Sequence, residues 1–191
     1  KEKLSLTVTP PLFQLTISKG ETWRSSLKVV NTNPYDLTIY ASVMDFEASG
    51  EEGKSRLVPR PADGGENYFL TLADWIEVPS EPVVIARKSS LEIPFSVNIP
   101  AKAEPGGHYA AILIGTAPLL EKSNGPTIMV SSQISSLLFL RVKGEVEEKG
   151  SIREFHPEKS FLSAPPVNFI LRFANTGNVH LRPMGSIAIY D

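Results

Sequence analysis

The stretch Leu27–Val43, LKVVNTNPYDLTIYASV, decides the fold because a related stretch occurs again later in the chain. The second copy is Leu171–Ile187, LRFANTGNVHLRPMGSI, and it places Asn175 on Asn31 at an offset of 175 − 31 = 144 residues. Each copy has the pattern of a strand, a polar turn and a second strand. A tandem pair of related all-β modules is the simplest explanation, and a chance likeness between two strand–turn–strand segments is the alternative.

Both copies begin with the alternation expected of a half-buried strand. Every second residue forms the inward face, and the residues between them face solvent. The inward residues are Trp23, Ser25, Leu27 and Val29 in the first copy, and Val167, Phe169, Leu171 and Phe173 in the second. Each strand then enters an Asn-Thr turn, where short polar side chains can bond the backbone.

The composition bounds the class of protein. With 191 residues the chain can form one large domain or two small ones, and its net charge of −2 offers no basic face for nucleic acid. Cysteine is absent, which excludes disulfides, thiolate zinc sites and a cysteine nucleophile. No apolar run approaches the roughly 20 residues of a membrane span. If the natural protein is exported, its signal and any anchor lie outside this sequence.

Several segments predict specific strands. The pair Pro10-Pro11 divides the alternating segment Leu4–Ile17, which predicts a split first strand on an edge or at a switch between sheets. Ser90–Ile99 alternates cleanly, and His108–Gly115 carries small and branched apolar residues on both faces, as a central strand covered on both sides does. Glu47–Asn67 has no periodicity and predicts an exposed, mobile excursion, and Trp75 after it is predicted to be core.

Seven or more short strands separated by Gly, Pro and Asn turns predict an all-β, immunoglobulin-like β-sandwich, with a small β-barrel as the alternative. The charged segment Lys143–Lys149 marks the boundary. Residues 1–145 are therefore predicted to form the sandwich domain, and residues 146–191 the beginning of a second, related one. Only about forty residues follow Gly150, whereas such a sandwich needs roughly 100. Either the chain is a fragment or another molecule covers the second module, which predicts self-association.

Catalytic motifs are missing. His108, His156 and His180 have no carboxylate or second histidine at metal-ligand spacing. Gly50–Ser55, GEEGKS, ends like a phosphate-binding loop, but Ala48 stands where a glycine is required and two glutamates oppose a phosphate. No GxSxG elbow occurs. The sequence therefore predicts no enzyme and no cofactor.

A calcium site is the one metal alternative, because carboxylates surround the long loop. Their irregular spacing argues against it, so no metal site is predicted. The residues concerned are Asp45, Glu47, Glu51, Glu52, Asp63 and Glu66.

The remaining candidates for function are surfaces that bind a partner. Sandwich domains recognise partners through end loops or by adding a strand at a free edge. Tyr68 and Phe69 at the exit of the long loop, and Ser131, Gln133 and Ser135 in the serine-rich last strand, are the candidate partner contacts. A plain spacer would be equally compatible with both features.

Three stretches carry a resemblance to a known family: TPPLFQLTISKGETWRSSLKVVNTN, LADWIEV, and the run from Ser90 through IPAKAEPGGHYAAILIGT. Together they resemble the peptidoglycan-binding domain of WxL-interacting cell-surface proteins and, more distantly, the first domain of pilus chaperones. The likeness spans about Leu4–Val142. It implies an exported protein, normally with a C-terminal membrane anchor, that acts in adhesion or assembly at the bacterial envelope. The chaperones' basic pair cannot be assigned among Arg24, Arg141 and Lys143.

The first hypothesis is therefore a non-enzymatic, extracytoplasmic bacterial protein of tandem immunoglobulin-like domains that binds a cell-wall polymer or another surface protein. A membrane would be reached only through an anchor outside this sequence. The alternative is a periplasmic pilus-type assembly chaperone, and a third hypothesis is a carbohydrate-active accessory module. A flat row of exposed aromatic side chains would favour sugar binding. A free strand edge would favour the chaperone.

Overall fold

A computed structural model describes residues 4–51, 54–58, 71–118, 133–158 and 167–188. These residues form short strands and one helical turn. The elements are β1 Leu6–Thr9, β2 Leu12–Ile17, β3 Thr22–Asn31, β4 Leu37–Ser49, β5 Lys54–Val58, α1 Leu72–Trp75, β6 Ile76–Glu77, β7 Val83–Ile85, β8 Ser89–Asn98, β9 Gly106–Gly115, β10 Gln133–Val142, β11 Gly150–Pro157 and β12 Phe169–Asn175.

The first ten strands form two sheets that pack face to face. One sheet has the order β1-β3-β8-β6, and the other has the order β2-β10-β9-β4-β5, with β7 also paired to β4. The inward side chains of both sheets make one core, which buries Leu27 and Val29 from the first sheet and Ile39, Ile112 and Leu140 from the second. The chain is therefore all-β and forms an immunoglobulin-like β-sandwich, as predicted.

The proline pair divides the first strand between the two sheets, which confirms the predicted split. Before it, β1 pairs antiparallel with β3 in the four-stranded sheet. After it, β2 pairs parallel with β10 in the larger sheet. The Thr9–Pro10 peptide is cis. Proline has no backbone N–H to donate to a neighbouring strand, so strand pairing is interrupted at Pro10-Pro11. The chain crosses from one sheet to the other at this interruption.

The strand β9 is central and buried on both faces, as predicted. Its inward residues Ala110, Ile112 and Ile114 belong to the core. Its outward residues are also shielded, with Ala111 0% and Leu113 2% exposed. Since both faces are covered, this strand carries no polar alternation.

Trp75 is 5% exposed and belongs to the core, which confirms its predicted burial. It ends the helical turn α1 and does not lie in a strand. The two residues that follow it, Ile76–Glu77, pair with β8.

The prediction that Glu47–Asn67 lacks paired structure is wrong at its start. The strand β4 runs on to Ser49, and β5 folds back on it with Phe46 opposite Leu57 and Glu47 opposite Arg56. The Arg56 guanidinium lies 3.1 Å from the Glu47 carboxylate. This hairpin faces solvent, so cross-strand side-chain pairs set its register. Its sequence therefore shows little alternation of apolar and polar residues. Residues 52–53 and 59–70 lie outside the described part.

The first Asn turn is a buried corner between the sheets. The side-chain amide of Asn31 donates to the carbonyls of Tyr35 at 2.9 Å, Ile85 at 3.1 Å and Ala86 at 3.2 Å. Its Oδ1 accepts from the backbone N–H of Asn33 at 3.0 Å. Asn31 is 0% exposed, so one side chain satisfies several buried backbone groups where the chain leaves β3 for β4.

The second Asn turn is built in the same way. The Asn175 amide donates to the Val179 carbonyl at 2.7 Å, and its Oδ1 accepts from the Gly177 N–H at 3.0 Å. These partners correspond to Tyr35 and Asn33 at the offset seen in the sequence. The strand register agrees too, because β11 and β12 pair antiparallel from Gly150 opposite Asn175, as β1 and β3 pair from Leu6 opposite Asn31. The hairpin β11–β12 thus reproduces the start of the first sandwich.

No helix among the described residues is long and apolar enough to cross a membrane.

Asn31→Ala should destabilise the protein by about 2–4 kcal/mol, because it leaves several buried carbonyls without a donor. Chemical denaturation with an unchanged m-value would measure the loss. Asn175→Ala is the matched control, since it removes the equivalent bonds in an exposed turn and should cost about 1 kcal/mol or less. Equal costs for the two variants would show that the burial of Asn31 is unimportant.

Candidate functional site

The structure places two of the five predicted partner contacts. Gln133 and Ser135 begin β10, where both are exposed and lie opposite Gly115 and Leu113 of β9. Tyr68, Phe69 and Ser131 lie outside the described residues.

The first half of β10 has a free edge within the described part of the chain. The strand β2 joins β10 only from Leu137 onward, in register with Leu12. The junction is fixed by the Ser136 hydroxyl, which donates to the Pro10 carbonyl at 2.7 Å. The Leu137 N–H donates to the Pro11 carbonyl at 2.9 Å. The backbone of residues 133–135 can therefore accept another strand on this side.

The hairpin β11–β12 exposes an apolar face. The outward side chains on this face are Ile152, Phe155, Phe169, Leu171 and Phe173, which are 63%, 46%, 40%, 55% and 39% exposed. The rings of Phe155 and Phe169 stack with their centroids 5.6 Å apart. The residues that correspond to Leu171 and Phe173 in the first sandwich, Leu27 and Val29, are both 0% exposed. The sequence predicted the β12 residues to face inward, and the structure shows the same face uncovered.

The outer edge of β12 is unprotected. In the described residues β12 pairs only with β11, and the one register irregularity lies in β11, between Ile152 and Glu154. The strand contains no proline, and its single charge is Arg172. The Arg172 guanidinium is neutralised by Glu51 at 2.7 Å and Glu154 at 3.0 Å. An edge without proline, bulge or free charge favours pairing with another strand.

The segment after β12 docks on the first sandwich, and a pair of glycines makes the contact. The Gly107 N–H donates to the Asn178 carbonyl at 2.7 Å, and Val179 is 2% exposed. Gly106 has a φ of +128°, and a Cβ there would lie 2.8 Å from the Asn178 oxygen. Only glycine at position 106 allows this approach. The contact leaves no signal in the sequence because its partners are far apart in the chain.

His180 completes this junction. Its ring lies against Tyr109 and Phe139, with centroid distances of 6.0 Å and 5.5 Å. Burial, together with the positive charges of Arg182 and Arg141, lowers the pKa of His180. Burial also raises the pKa of Tyr109, although a hydrogen bond with the His180 backbone acts against this. The His180 Nδ1 atom is buried and has no hydrogen-bond partner within the described part of the chain.

The histidines do not form a catalytic group. His108 packs on Trp75 with centroids 4.7 Å apart, and its Nε2 lies 2.9 Å from the Glu104 carbonyl. His156 bonds the Pro157 carbonyl on the hairpin, and His180 lies in the junction. No group of three or more His, Asp or Glu side chains that could hold a metal ion occurs among the described residues.

Arg24 and Arg141 do not form a basic pair. Arg24 is exposed on β3 of the four-stranded sheet, whereas Arg141 lies on β10 of the other sheet. Both alternate with core residues and therefore occupy opposite outer faces of the sandwich. The Arg141 guanidinium is also engaged by Glu148 at 2.5 Å.

Comparisons with protein-family profiles and with curated proteins find no match to this chain. Among solved structures, it is similar to the CsuC–CsuE chaperone–tip adhesion subunit complex from Acinetobacter baumannii, with 11% identity, a TM-score of 0.46, and 95% of this chain and 90% of that chain covered. It is similar to the E. coli chaperone DraB, with 14% identity, a TM-score of 0.44, and 95% and 88% covered. It is also similar to PapD-like domain 7 of human CEP192, with 12% identity, a TM-score of 0.45, and 73% and 86% covered. Likeness at this level is no evidence of shared function.

Gly106→Ala should loosen the junction, because the new methyl group meets the Asn178 carbonyl in a backbone conformation that alanine rarely adopts. We expect it to cost about 2 kcal/mol more than Gly20→Ala. Gly20 is the matched control, with a φ of +76° and nothing within 4 Å of its added Cβ. Denaturation curves, and the amide protection of Gly107, whose N–H donates to the Asn178 carbonyl, would measure the two effects. Equal losses in both variants would contradict a role of Gly106 in docking.

Proposed function

We propose that this chain is the protein-binding part of a non-enzymatic, extracytoplasmic bacterial envelope protein built of tandem immunoglobulin-like modules. The first module comprises residues 1–145, and the second begins at residue 146. One observation carries the proposal: β12 has a free edge among the described residues, and this edge borders an apolar face that includes Leu171 and Phe173, whose counterparts Leu27 and Val29 are buried core residues of the first sandwich. The chain binds its partner by strand addition at this edge.

The pairing of β3 with β8 in the first sandwich indicates what kind of strand would pair with β12. There β8 pairs antiparallel with β3, so that Leu27 lies opposite Ile93 and Ser25 opposite Phe95. A strand of alternating apolar residues that paired with β12 in the same manner would cover Leu171. Each large apolar side chain so covered contributes about 1.5–3 kcal/mol, and the backbone bonds add to this.

A cell-wall polymer is the alternative partner, as the resemblance to peptidoglycan-binding domains suggests. Phe155, Phe169 and Phe173 share one exposed face, and sugars stack on aromatic rings. The cross-strand neighbours of these rings are apolar, however: Ile152, Pro157 and Leu171. A sugar site needs polar groups placed for its hydroxyls. The face therefore suits an apolar protein strand better than a glycan.

A periplasmic pilus-type assembly chaperone is the second candidate function. The observation that favours it is the free edge of residues 133–135 on β10, where a subunit strand could be added. The separation of Arg24 and Arg141 on opposite faces argues against a carboxylate grip by that pair.

Self-association tests the main proposal, because a second copy of the chain can supply a strand. Sedimentation of the unaltered protein over a range of concentrations should show a mass that rises with concentration. Leu171→Lys should keep the protein monomeric, since it places a charge in the apolar face. Met184→Lys is the control at a side chain that is 96% exposed, and it should associate like the unaltered protein.

Two outcomes would contradict the proposal. One is a strictly monomeric protein with slow amide exchange throughout β12. The other is co-sedimentation with purified peptidoglycan sacculi that Leu171→Lys abolishes, which would assign the face to the polymer.

A further inference from the structure

The junction between the first sandwich and the residues that follow β12 combines a buried apolar side chain with polar bonds among the described residues. Val179 is 2% exposed, and the Gly107 N–H donates to the Asn178 carbonyl at 2.7 Å. The Asn178 side-chain amide donates to the Pro105 carbonyl at 3.4 Å, and Arg182 bonds Gln14 of β2. Arg172 of β12 also pairs with Glu51. An unfavourable charge placed at the docked segment can shift the equilibrium between its docked and released states.

His180 is the titratable group placed to supply that charge. Tyr109 of β9 and Phe139 of β10 face its ring. The charged groups that act on it are Arg141 of β10 and Arg182 of its own segment, and both are positive. Glu148 is bound to Arg141. Protonation would therefore add a positive charge near two arginines, on a half-buried ring whose buried Nδ1 atom has no acceptor among the described residues.

We propose that the junction is an acid-sensitive latch: protonation of His180 releases the segment Asn178–Arg182 from the sandwich. The latch is independent of the proposed binding function, because it concerns contacts within the chain.

The direction follows from proton linkage. Burial, Arg182 and Arg141 lower the pKa of docked His180 below its ordinary value of 6.5, so the released state binds the proton more tightly. Docking is therefore fully favoured above pH 6.5 and is lost as the pH falls toward the pKa of the docked form. The contact between Arg172 and Glu51 does not weaken in this window, because its hydrogen bond with Arg172 lowers the pKa of Glu51 below 4.5.

Amide exchange of the full chain, followed by NMR from pH 7.5 to pH 5, tests the latch. The Gly107 amide reports docking through its bond to Asn178, and the Val29 amide reports the core. After correction for the intrinsic rate, exchange at Gly107 should rise below pH 6.5 by up to about tenfold per pH unit, the limit for one linked proton. Exchange at Val29 should not follow it.

His180→Phe keeps a ring between Tyr109 and Phe139 and removes the titrating group, so it should abolish the pH-dependent rise. His156→Phe, at an exposed histidine of the hairpin, should preserve it. Persistence of the rise in His180→Phe would overturn the proposal. In the unaltered protein, a measured His180 pKa at or above the ordinary histidine value of 6.5 would overturn it as well, and that measurement does not depend on any variant folding.

Discussion

The buried amide of Asn31 is the interaction on which the sandwich depends. It stands where the chain passes from β3 of one sheet to β4 of the other, and it bonds carbonyls of that turn and of the segment after β7. Backbone groups buried at such a corner have no ladder partner, so a side chain must satisfy them. Asn33 extends the network by bonding the Ser5 carbonyl at 2.8 Å just before β1. One corner thus fixes the relative positions of four chain segments.

Packing between the two sheets contributes more to the free energy of folding than the Asn31 hydrogen bonds do. The geometry of that packing follows from the Asn31 corner. Near the proline crossing, Phe13 of β2, Trp23 of β3 and Phe95 of β8 meet edge to face at centroid distances of 5.4–5.6 Å. The three rings join both sheets at the point where the first strand changes sheet. Edge-to-face contacts of this kind add about 0.5–1.5 kcal/mol each beyond the area that they bury.

The hairpin β11–β12 shows which features of β1 and β3 form from local interactions alone. The turn that follows β12 forms the same Asn hydrogen bonds, and β11 and β12 pair in the same register as β1 and β3. Both features depend on residues close in sequence or on a single partner strand. Leu171 remains exposed all the same, since burial requires a strand on its free edge and a second sheet. The functional proposal follows from that difference between β12 and β3, the strand to which it corresponds in sequence.

By itself the sequence determined the local features: the alternating strands, the division at Pro10-Pro11, the two Asn turns and the centrality of β9. Each depends on side-chain period or on turn chemistry, which neighbouring residues encode. It did not reveal β5, because a solvent-facing hairpin has no buried face to set a pattern. Nor did it reveal the docking of Val179 beside Gly106 or the environment of His180. Only the tertiary structure decided these, because contacts between residues distant in the chain depend on which surfaces the completed sheets bring together and which they leave uncovered.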